Sequence, residues 1–464
     1  MKIMKRVELN NPLEGSYKDP SGLVYSSGKK IYRTVNRNYK SNYDLLISSG
    51  LYEELVDKNY LVSYTSVNNI KKLLEIYKVI RPQYIPFISY PYEWCFSQLK
   101  DAALLTLEIN RRSLLKGMIL KDASTYNVQF NKGKPLFIDS LSFEKYKEGE
   151  PWIAYQQFCR HFLAPLLLAA YCDFRLIHLL KTYIDGIPLD LTSKILPYKT
   201  HFNFSILSHI HFHAKAENYF ESKFKGRSKY FLPKNSLLAI NDNLKELITS
   251  LELKIKSTEW SDYYSDNSYD SRSLQTKKRL IEKFMKSIKT KKIIWDLGSN
   301  IGFFSKNLNL EKSLFIDIDN DYLAIEENYL DTKKKGISNV LPLNIDITNP
   351  SPGIGWTNSE RMTLVERGPC DVVLALALVH HLVFSYNLSF ANISDFFKRI
   401  TKWCIVEFVP KNDLQIKRML LNKKDIYTDY DQINFEKVFS KNFTIMEKVS
   451  INSLGRLLYL MKKK

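Results

Sequence analysis

Two acidic residues in the second half of the chain end short apolar runs. Asp296 follows Ile293–Trp295 and precedes a turn with two glycines, Gly298 and Gly302. Asp317 ends the next apolar run, about one strand–helix repeat further along. A strand that leads into a glycine turn and a helix start lets backbone approach a ligand closely. A carboxylate at the end of the following strand can accept hydrogen bonds from both hydroxyls of a ribose. The pattern predicts a site for a ribose-containing ligand.

The glycine turn resembles the first motif, acid-x-Gly-x-x-x-Gly, of class I S-adenosylmethionine-dependent methyltransferases. This resemblance implies a Rossmann-like, doubly wound α/β domain over roughly residues 258–464, with S-adenosyl-L-methionine as its cofactor. It also implies that Asp317 holds the ribose and that Asp346 meets the adenine amino group. The alternative is a nicotinamide-type Rossmann domain, although such a site usually has more closely spaced glycines. The resemblance assigns these residues to the cofactor: Asp296, Gly298, Ser299, Asn300, Gly302, Asp317, Ile318, Asp346, Ile347 and Ala375.

Two neighbouring histidines, His380 and His381, follow the fourth predicted strand of this domain. A histidine near its unperturbed pKa of about 6.5 can take a proton from a hydroxyl or amine during methyl transfer. Glu407 ends the fifth strand and is a candidate to orient His381 or the acceptor. Because methyl transfer is an in-line displacement, positioning alone can supply much of the catalysis. The alternative for His380 is a hydrogen-bonded buried residue without a catalytic role.

The first half of the chain carries a second group of residues that could do chemistry. Asp122 is followed by Asn127 and, after an apolar run, by Asp139. This arrangement resembles the catalytic loop and metal-binding aspartate of protein-kinase-like and aminoglycoside-phosphotransferase-like folds. In that chemistry the first aspartate accepts the proton of the attacking hydroxyl, while the asparagine and second aspartate hold magnesium against nucleotide phosphates. The resemblance implies Mg–ATP as a second ligand.

The N-terminal pattern departs from that of protein kinases in two respects. Leu120-Lys121 stands where they usually carry His-Arg, and no convincing glycine-rich phosphate loop precedes it. The phosphate-contacting strand lysine has two candidate equivalents, Lys30 and Arg33. A purely structural interpretation also remains, in which Asp122 caps a turn with Asn127 and Asp139 ends a strand.

The predicted elements position both groups of residues. In the first half, a hairpin near residues 23–35 precedes a helix at 42–58, a connector at 84–91 and a long helix at 93–118. After residue 292, strands alternate with helices, which predicts a doubly wound, mostly parallel sheet with an antiparallel pair at its C-terminal edge. The predicted strands are 293–296, 314–317, 340–345, 372–377, 403–408 and a terminal pair near 443–448 and 456–460.

Two further groups of residues are weaker candidates for a site. His209, His211 and His213 would share one face of a strand, as metal ligands can, but a helix is equally consistent with the pattern. A structural or solvent-facing role is favoured because no cysteine or acid cluster completes a site, so no metal is expected. Tyr264 and Tyr269 are candidates to line the cofactor pocket, and ordinary packing against the core is the alternative.

Composition shifts divide the chain into four parts. We predict a polar leader at 1–14, an α+β, kinase-like domain at 15–213, a linker and helix at 214–257, and the methyltransferase-like domain at 258–464. Five scattered cysteines without a CxxC pair, and no secretory or membrane-spanning segment, favour the cytoplasm. The net charge of +19 permits nucleic-acid binding, but its lysines are dispersed, which favours solvated surface instead.

A larger pattern joins the two halves of the chain. Leu374–Leu382 and Ile405–Pro410, together with Pro86–Trp94 and Leu120–Asn127, resemble NoeA-like bacterial methyltransferases, which have a long N-terminal region. These proteins are associated with nodulation-factor and surface-polysaccharide genes, so the resemblance implies a small or glycan-type acceptor. Two other hypotheses stay open at this point: a bifunctional kinase and methyltransferase, and a non-catalytic module that senses the cofactor or binds RNA.

Overall fold

The chain forms two units. A computed structural model describes residue 9 and residues 12–27, 30–67, 74–214, 231–253, 271–421, 424–451 and 455–464. The first unit comprises Met1–Lys254 together with Gly353–Arg361, and the second comprises Ile255–Pro352 and Met362–Lys464. The short segment 353–361 therefore interrupts the second unit in sequence but packs as part of the first.

The first unit begins with a four-stranded antiparallel sheet in the order β1-β2-β4-β3. β1 and β2 pair with Val24 opposite Arg33, which confirms the predicted hairpin. Two smaller sheets follow, in which β5 pairs with β8 and β6 pairs with β7. The strands are β1 Val24–Ser27, β2 Lys30–Asn36, β3 Tyr64–Ser66, β4 Ile76–Pro82, β5 Met118–Leu120, β6 Val128–Asn131, β7 Lys134–Phe137 and β8 Phe143–Lys145.

Helices make up much of the rest of this unit. The predicted long helix is confirmed as α3, whose inner face is buried. The helix predicted at 42–58 is instead two helices, because Gly50 adopts a left-handed conformation (φ +71°) between them. The helices are α1 Lys40–Ser48, α2 Leu51–Asp57, α3 Phe96–Leu115, α4 Tyr155–Phe158, α5 Ala164–Tyr171, α6 Leu179–Thr182, α7 Leu189–Ile195, α8 Phe204–Ile206 and α9 Lys234–Ser250, with π-helical turns at Cys159–Leu163 and Leu207–Phe212.

The second unit is built on a seven-stranded sheet in the order β11-β10-β9-β12-β13-β15-β14. Strands β9 to β13 run parallel to one another, and β15 is antiparallel to both β13 and β14. The predicted doubly wound sheet with an antiparallel edge is confirmed. Its strands are β9 Ile293–Leu297, β10 Leu314–Asp319, β11 Val340–Asn344, β12 Cys370–Ala375, β13 Thr401–Phe408, β14 Phe443–Ser450 and β15 Leu457–Lys463.

Helices flank this sheet and complete its core. Strands covered on both faces read as continuous apolar runs, and Ile294, Phe315 and Ile405 are accordingly buried in one cluster with residues from α10. From α10, Ile281 and Phe284 join that cluster. The helices are α10 Ser271–Ser287, α11 Phe303–Asn307, α12 Tyr322–Lys335, α13 Val379–Tyr386, α14 Phe390–Ile400, α15 Leu414–Leu420 and α16 Gln432–Asn442.

The structure also answers one of the weaker predictions and leaves the other outside its range. His209 and His211 lie in the second π-helical turn, so the alternative that places them on a strand is wrong. Both are buried and bonded to neutral partners, for example Tyr155 Oη at 2.6 Å from His209 Nδ1. Tyr264 and Tyr269 lie outside the described residues. Within the described ranges, no helix has the length and apolar character that crossing a membrane requires.

Candidate functional site

The parallel strands of the second unit bring most of the predicted site residues to one edge of the sheet. Parallel strands end at the same edge, and ligands of doubly wound sheets bind there. β9 ends next to Asp296, β10 at Asp319, β12 at Ala375 and β13 next to Glu407. Asp346 follows the end of β11, and the two histidines open α13 after β12.

The glycine turn after β9 is tied to the neighbouring strand. The backbone N–H groups of Gly298 and Ser299 donate to the carbonyl of Ile318, at 2.8 and 3.2 Å. Gly302 has φ +71°, and a Cβ atom there would lie 2.5 Å from Asp317 Oδ2 and 2.4 Å from Asn328 Nδ2. Only glycine therefore fits this position without displacing Asp317.

Asp317 lies fully buried beneath this turn. Its Oδ2 accepts hydrogen bonds from Ser305 Oγ at 2.6 Å and from Asn328 Nδ2 at 2.7 Å. Its Oδ1 has no hydrogen-bond partner among the described residues. Burial raises the pKa of Asp317 to about 6, although those two hydrogen bonds oppose the shift. One oxygen is thus fixed by the protein and the other remains as an acceptor.

Asp319 holds the turn in place, and sequence reasoning missed it. Its Oδ2 accepts from the backbone N–H of Asn300 at 2.7 Å, and its Oδ1 accepts from that of Asp321 at 2.8 Å. Burial raises the pKa of Asp319 to about 6. The available signal was its spacing, because residues two apart on a strand point to the same face. Asp317 and Asp319 therefore act on the same turn in different ways.

Several buried polar atoms at this edge have no hydrogen-bond partner among the described residues. They include Asp296 Oδ2, Ser299 Oγ, Asp317 Oδ1 and His380 Nδ1. Buried polar groups are normally hydrogen-bonded, and each unsatisfied one costs about 1–3 kcal/mol. Burial, followed by the charge of Asp317, raises the pKa of Asp296 well above its ordinary value. This set of acceptors fits a ligand that carries hydroxyl and amino donors, as a nucleoside cofactor does.

The remaining predicted cofactor residues border the same edge. Asp346 is half-buried, and its Oδ1 accepts from Thr348 N at 2.8 Å and Thr348 Oγ1 at 2.6 Å. Ile347 is half-buried beside it, whereas Ala375 is buried at the end of β12. Their cofactor contacts stay predictions.

The two histidines begin α13 with their ring centroids 4.2 Å apart. Burial lowers the pKa of His381 to about 4. The pKa of His380 lies well below its ordinary value because of burial and then the nearby charges of His381, Arg456 and Lys277. Both rings are therefore neutral at pH 7, and His380 Nδ1 is one of the unpartnered atoms.

Glu407 belongs to a buried charge network whose other members the sequence did not reveal. Lys277 Nζ, from α10, lies 2.5 Å from Glu407 Oε2, and both side chains are almost fully buried. Arg456 Nη1 lies 3.3 Å from Glu407 Oε1, and its Nε lies 2.8 Å from Asp413 Oδ2. Burial lowers the pKa of Lys277, and the charge and hydrogen bond of Glu407 oppose this. Glu407 is thus held by two cations, and its predicted role toward the acceptor stays a prediction.

Within the first unit, the structure brings the three phosphotransfer candidates into one polar cluster. Arg33 Nη1 and Nη2 contact the two oxygens of Asp139 at 2.9 and 3.0 Å, a two-pronged ion pair. Asp139 Oδ1 also accepts from the backbone N–H of Leu141 at 2.7 Å. The side chain of Asn127 donates to Ser142 Oγ at 3.3 Å and lies near Asp122. Protein groups therefore contact both oxygens of Asp139.

Asp122 is similarly supported by its neighbours. Its Oδ1 accepts from the backbone N–H of Ser124 at 3.0 Å, and the side chains of Asn127 and Gln157 lie close enough to oppose the rise of its pKa. Burial and then the charge of Asp139 raise the pKa of Asp122. Of the two cations considered for the phosphate-contacting position, Arg33 reaches this cluster through its ion pair with Asp139. Lys30 lines a separate pocket of the same unit.

Comparison with known proteins adds a full-length relative. Nodulation protein NoeA of Rhizobium meliloti (strain 1021) is 33% identical over 461 residues, which cover 97% of this chain and 95% of that protein. No protein-family model matches the chain.

Solved structures similar to this chain cover about half of it. Magnesium protoporphyrin IX methyltransferase of Synechocystis PCC 6803, with bound SAM, matches 44% of this chain and 89% of its own at 14% identity and a TM-score of 0.32. The N-methyltransferase NodS of Bradyrhizobium japonicum WM9 matches 42% of this chain and 98% of its own at 11% identity and a TM-score of 0.32. The bifunctional kinase-methyltransferase WbdD matches 47% of this chain and 45% of its own at 14% identity and a TM-score of 0.29.

Proposed function

The chain belongs to the family of nodulation protein NoeA, and from that premise we propose that it is an S-adenosylmethionine-dependent methyltransferase acting on a small, glycan-type acceptor. The observation that carries this proposal is the group of unpartnered, buried polar atoms around the glycine turn of the second unit. The acceptor class is supported by the association of NoeA-like methyltransferases with nodulation-factor and surface-polysaccharide genes. The protein acts in the cytoplasm in this proposal.

The strand ends hold the cofactor through side-chain acceptors. Asp317 Oδ1 accepts from a ribose hydroxyl, and Asp346 accepts from the adenine amino group. Asp296 Oδ2 and Ser299 Oγ receive the amino end of the methionine moiety. S-adenosylmethionine supplies an electrophilic methyl group when bound. The contacts of Asp296, Ser299 and Asp317 each satisfy a buried polar atom that has no partner among the described residues, and leaving such an atom unsatisfied has a free-energy cost.

His380 serves the acceptor in this proposal. Its imidazole is neutral at pH 7 because burial lowers its pKa, and its Nδ1 is unpartnered among the described residues. A neutral ring nitrogen accepts the proton that a hydroxyl or amine loses when it is methylated. Neighbouring His381 packs beside this ring, with the two ring centroids 4.2 Å apart.

A calorimetric titration with S-adenosylmethionine tests the cofactor assignment. We expect wild type to bind, and Asp317→Ala to bind at least about 30-fold more weakly, because the ribose loses a charge-assisted acceptor worth about 2 kcal/mol. Glu311→Gln is the matched control. It removes an exposed carboxylate of the same unit that makes no hydrogen bond or ion pair with any described residue.

Two outcomes would count against this assignment. Equal affinity of wild type and Asp317→Ala would remove Asp317 from the ribose contact. A wild-type protein that folds but releases no heat with S-adenosylmethionine or S-adenosylhomocysteine would contradict the proposed cofactor itself.

The first unit supports a second candidate activity, phosphotransfer with Mg–ATP. The supporting observation is that Asp122, Asn127 and Asp139 lie in one polar cluster, in which burial and then the charge of Asp139 raise the pKa of Asp122. Magnesium would have to compete with the Arg33 guanidinium for Asp139, so this activity requires Arg33 to release at least one carboxylate oxygen. It predicts magnesium-dependent nucleotide turnover that Asp139→Ala abolishes and that the surface variant Asp190→Ala retains. Absence of turnover across a broad panel of hydroxyl acceptors would contradict it.

A further inference from the structure

A pocket opens at one end of the four-stranded sheet in the first unit. Its volume is about 390 Å³, and its walls come from the start of β2, from β3 and from the end of β4. That volume lies within the range of small-molecule sites, about 300–1,000 Å³. None of Asp122, Asn127 and Asp139 lines it. The pocket is therefore separate from the candidate phosphotransfer cluster.

The two charged side chains that line this pocket among the described residues are both cations. Lys30 and Arg81 are exposed, and neither makes a hydrogen bond or ion pair with any described residue. Among the described residues, no acidic side chain lines the pocket. Elsewhere in this unit, cations near acids do form pairs, as Arg33 does with Asp139. The Arg81 guanidinium makes no hydrogen bond with a described residue and lines the same pocket as the Lys30 ammonium. This pair suits a carboxylate or phosphate group, because the planar guanidinium can donate two parallel hydrogen bonds.

The uncharged lining supplies rings, hydroxyls and an amide. Tyr84 is 47% exposed, and Thr65 stands directly opposite Arg81 in the β3–β4 pair. The ring of Tyr64 is held in place, because its hydroxyl lies 2.7 Å from Tyr43 Oη. Gln83 leaves its amide donors at the pocket, since its Oε1 accepts weakly from Ser63 Oγ at 3.4 Å. A ring beside amide and hydroxyl groups suits a sugar, whose apolar ring face and hydroxyl edge need both kinds of contact.

We propose that this pocket binds an acidic saccharide, with Arg81 and Lys30 holding the anionic group and Tyr84 contacting the sugar ring. The identification of the saccharide with the methyl acceptor rests on the proposed function, whereas binding itself does not. Two kinds of ligand have the required chemistry: a sugar that carries a carboxylate and a sugar that carries a phosphate. The pocket thus selects the acceptor by charge and ring together.

The test is calorimetric titration of the full-length protein with a short oligogalacturonate, its carboxyl-reduced neutral counterpart and a hexose 6-phosphate. Inorganic phosphate and ATP serve as comparison ligands. We expect at least one acidic sugar to bind and the neutral oligosaccharide to bind at least tenfold more weakly. Affinity for the acidic sugar should fall as salt rises, because the two cations are exposed. Which acidic sugar binds more tightly identifies carboxylate or phosphate as the recognised group.

Variants of the two cations, with a matched control, test whether the acidic sugar binds in this pocket. Arg81→Gln should weaken binding of the acidic sugar about tenfold, since one charge-assisted pair of hydrogen bonds is lost. Lys30→Gln should weaken it less, and the double variant should abolish it. Lys145→Gln, an exposed lysine on β8 of the same unit, should bind as wild type does. All these positions are exposed, so unchanged melting temperatures are expected.

Several results would overturn the proposal. They are no binding of either acidic sugar, equal binding of the neutral oligosaccharide, full affinity in Arg81→Gln, or tighter binding of ATP or phosphate than of any sugar. A parallel titration with S-adenosylmethionine separates the two proposals. Acidic-sugar binding without S-adenosylmethionine binding would leave this pocket intact and contradict the methyltransferase assignment, and the converse would remove only the pocket.

Discussion

The two units each gather acidic residues near a turn, but they satisfy them differently. In the first unit, Asp139 is held on both oxygens by Arg33, and Asp122 accepts a hydrogen bond from the backbone N–H of Ser124. In the second unit, Asp296 and Asp317 each keep a buried oxygen without a partner among the described residues. Burial also raises the pKa of both.

This difference distinguishes a cluster completed by the protein from one that a ligand would complete. A paired carboxylate lies near its minimum of free energy without a ligand, whereas an unsatisfied buried acceptor costs about 1–3 kcal/mol. Binding a ligand with suitable donors recovers that cost. We therefore expect the second unit to bind a small molecule more tightly, whereas the first unit would have to break an ion pair before Asp139 could bind a metal.

The largest effect is expected where the second unit buries a complete ion pair. Lys277→Met should lower the free energy of unfolding by about 3–5 kcal/mol, because Glu407 would lose a buried partner. Urea denaturation measures this. Lys278→Met is the control, since Lys278 is more exposed and lies 3.8 Å from Glu282 on the helix surface; it should cost under about 0.5 kcal/mol. A loss below about 1 kcal/mol in Lys277→Met would contradict a central role for this pair.

A smaller effect is expected for the ion pair of the first unit, whose members are less deeply buried. Asp139→Ala should lower the free energy of unfolding by about 1–2 kcal/mol. Arg33 would lose its bidentate partner but would keep its ion pair with Asp19 at 3.5 Å. The double variant Arg33→Met/Asp139→Ala should recover part of this loss in a thermodynamic cycle. If the single-variant losses simply add in the double variant, the two side chains do not act as a pair.

The free energy of unfolding should depend on pH because burial raises the pKa of Asp317. Its folded-state pKa of about 6 lies above the ordinary value near 3.9, so folding favours the protonated form. This contribution to stability is complete below about pH 4 and is lost as pH rises through 6. Asp317→Asn cannot ionise at this position. Its free energy of unfolding relative to that of wild type should therefore rise by about 1–3 kcal/mol between pH 4.5 and pH 7.5.

Urea denaturation at several pH values measures this gain, and Glu311→Gln is the exposed control, which should stay parallel to wild type. The stability difference between Asp317→Asn and wild type could instead be the same at pH 4.5 and at pH 7.5. That result would show that Asp317 ionises in the folded protein as easily as in the unfolded chain. The contrast between the two acidic clusters would then fail.

Much of the second unit could be predicted because its signals are local. Apolar runs such as 293–295 mark buried strands, and glycines at 298 and 302 mark a turn that backbone conformation demands. The sequence prediction placed Asp317 at a strand end, and the structure places it in β10, two residues before the strand ends at Asp319. The first unit is harder to predict from sequence because its strands are short. Periodicity also predicts one helix over residues 42–58, whereas Gly50 divides this stretch into two helices.

Local sequence thus determined the elements, the glycine turn and the presence of acids at strand ends, because periodicity and backbone preference act over a few residues. Tertiary structure alone decided which acids are paired. Asp139 meets Arg33 across 106 positions, and Glu407 meets Lys277 from a distant helix, whereas Asp317 keeps one oxygen unpartnered among the described residues. Such pairings depend on where the chain returns in space, and a carboxylate in the sequence carries no sign of the cation that will reach it.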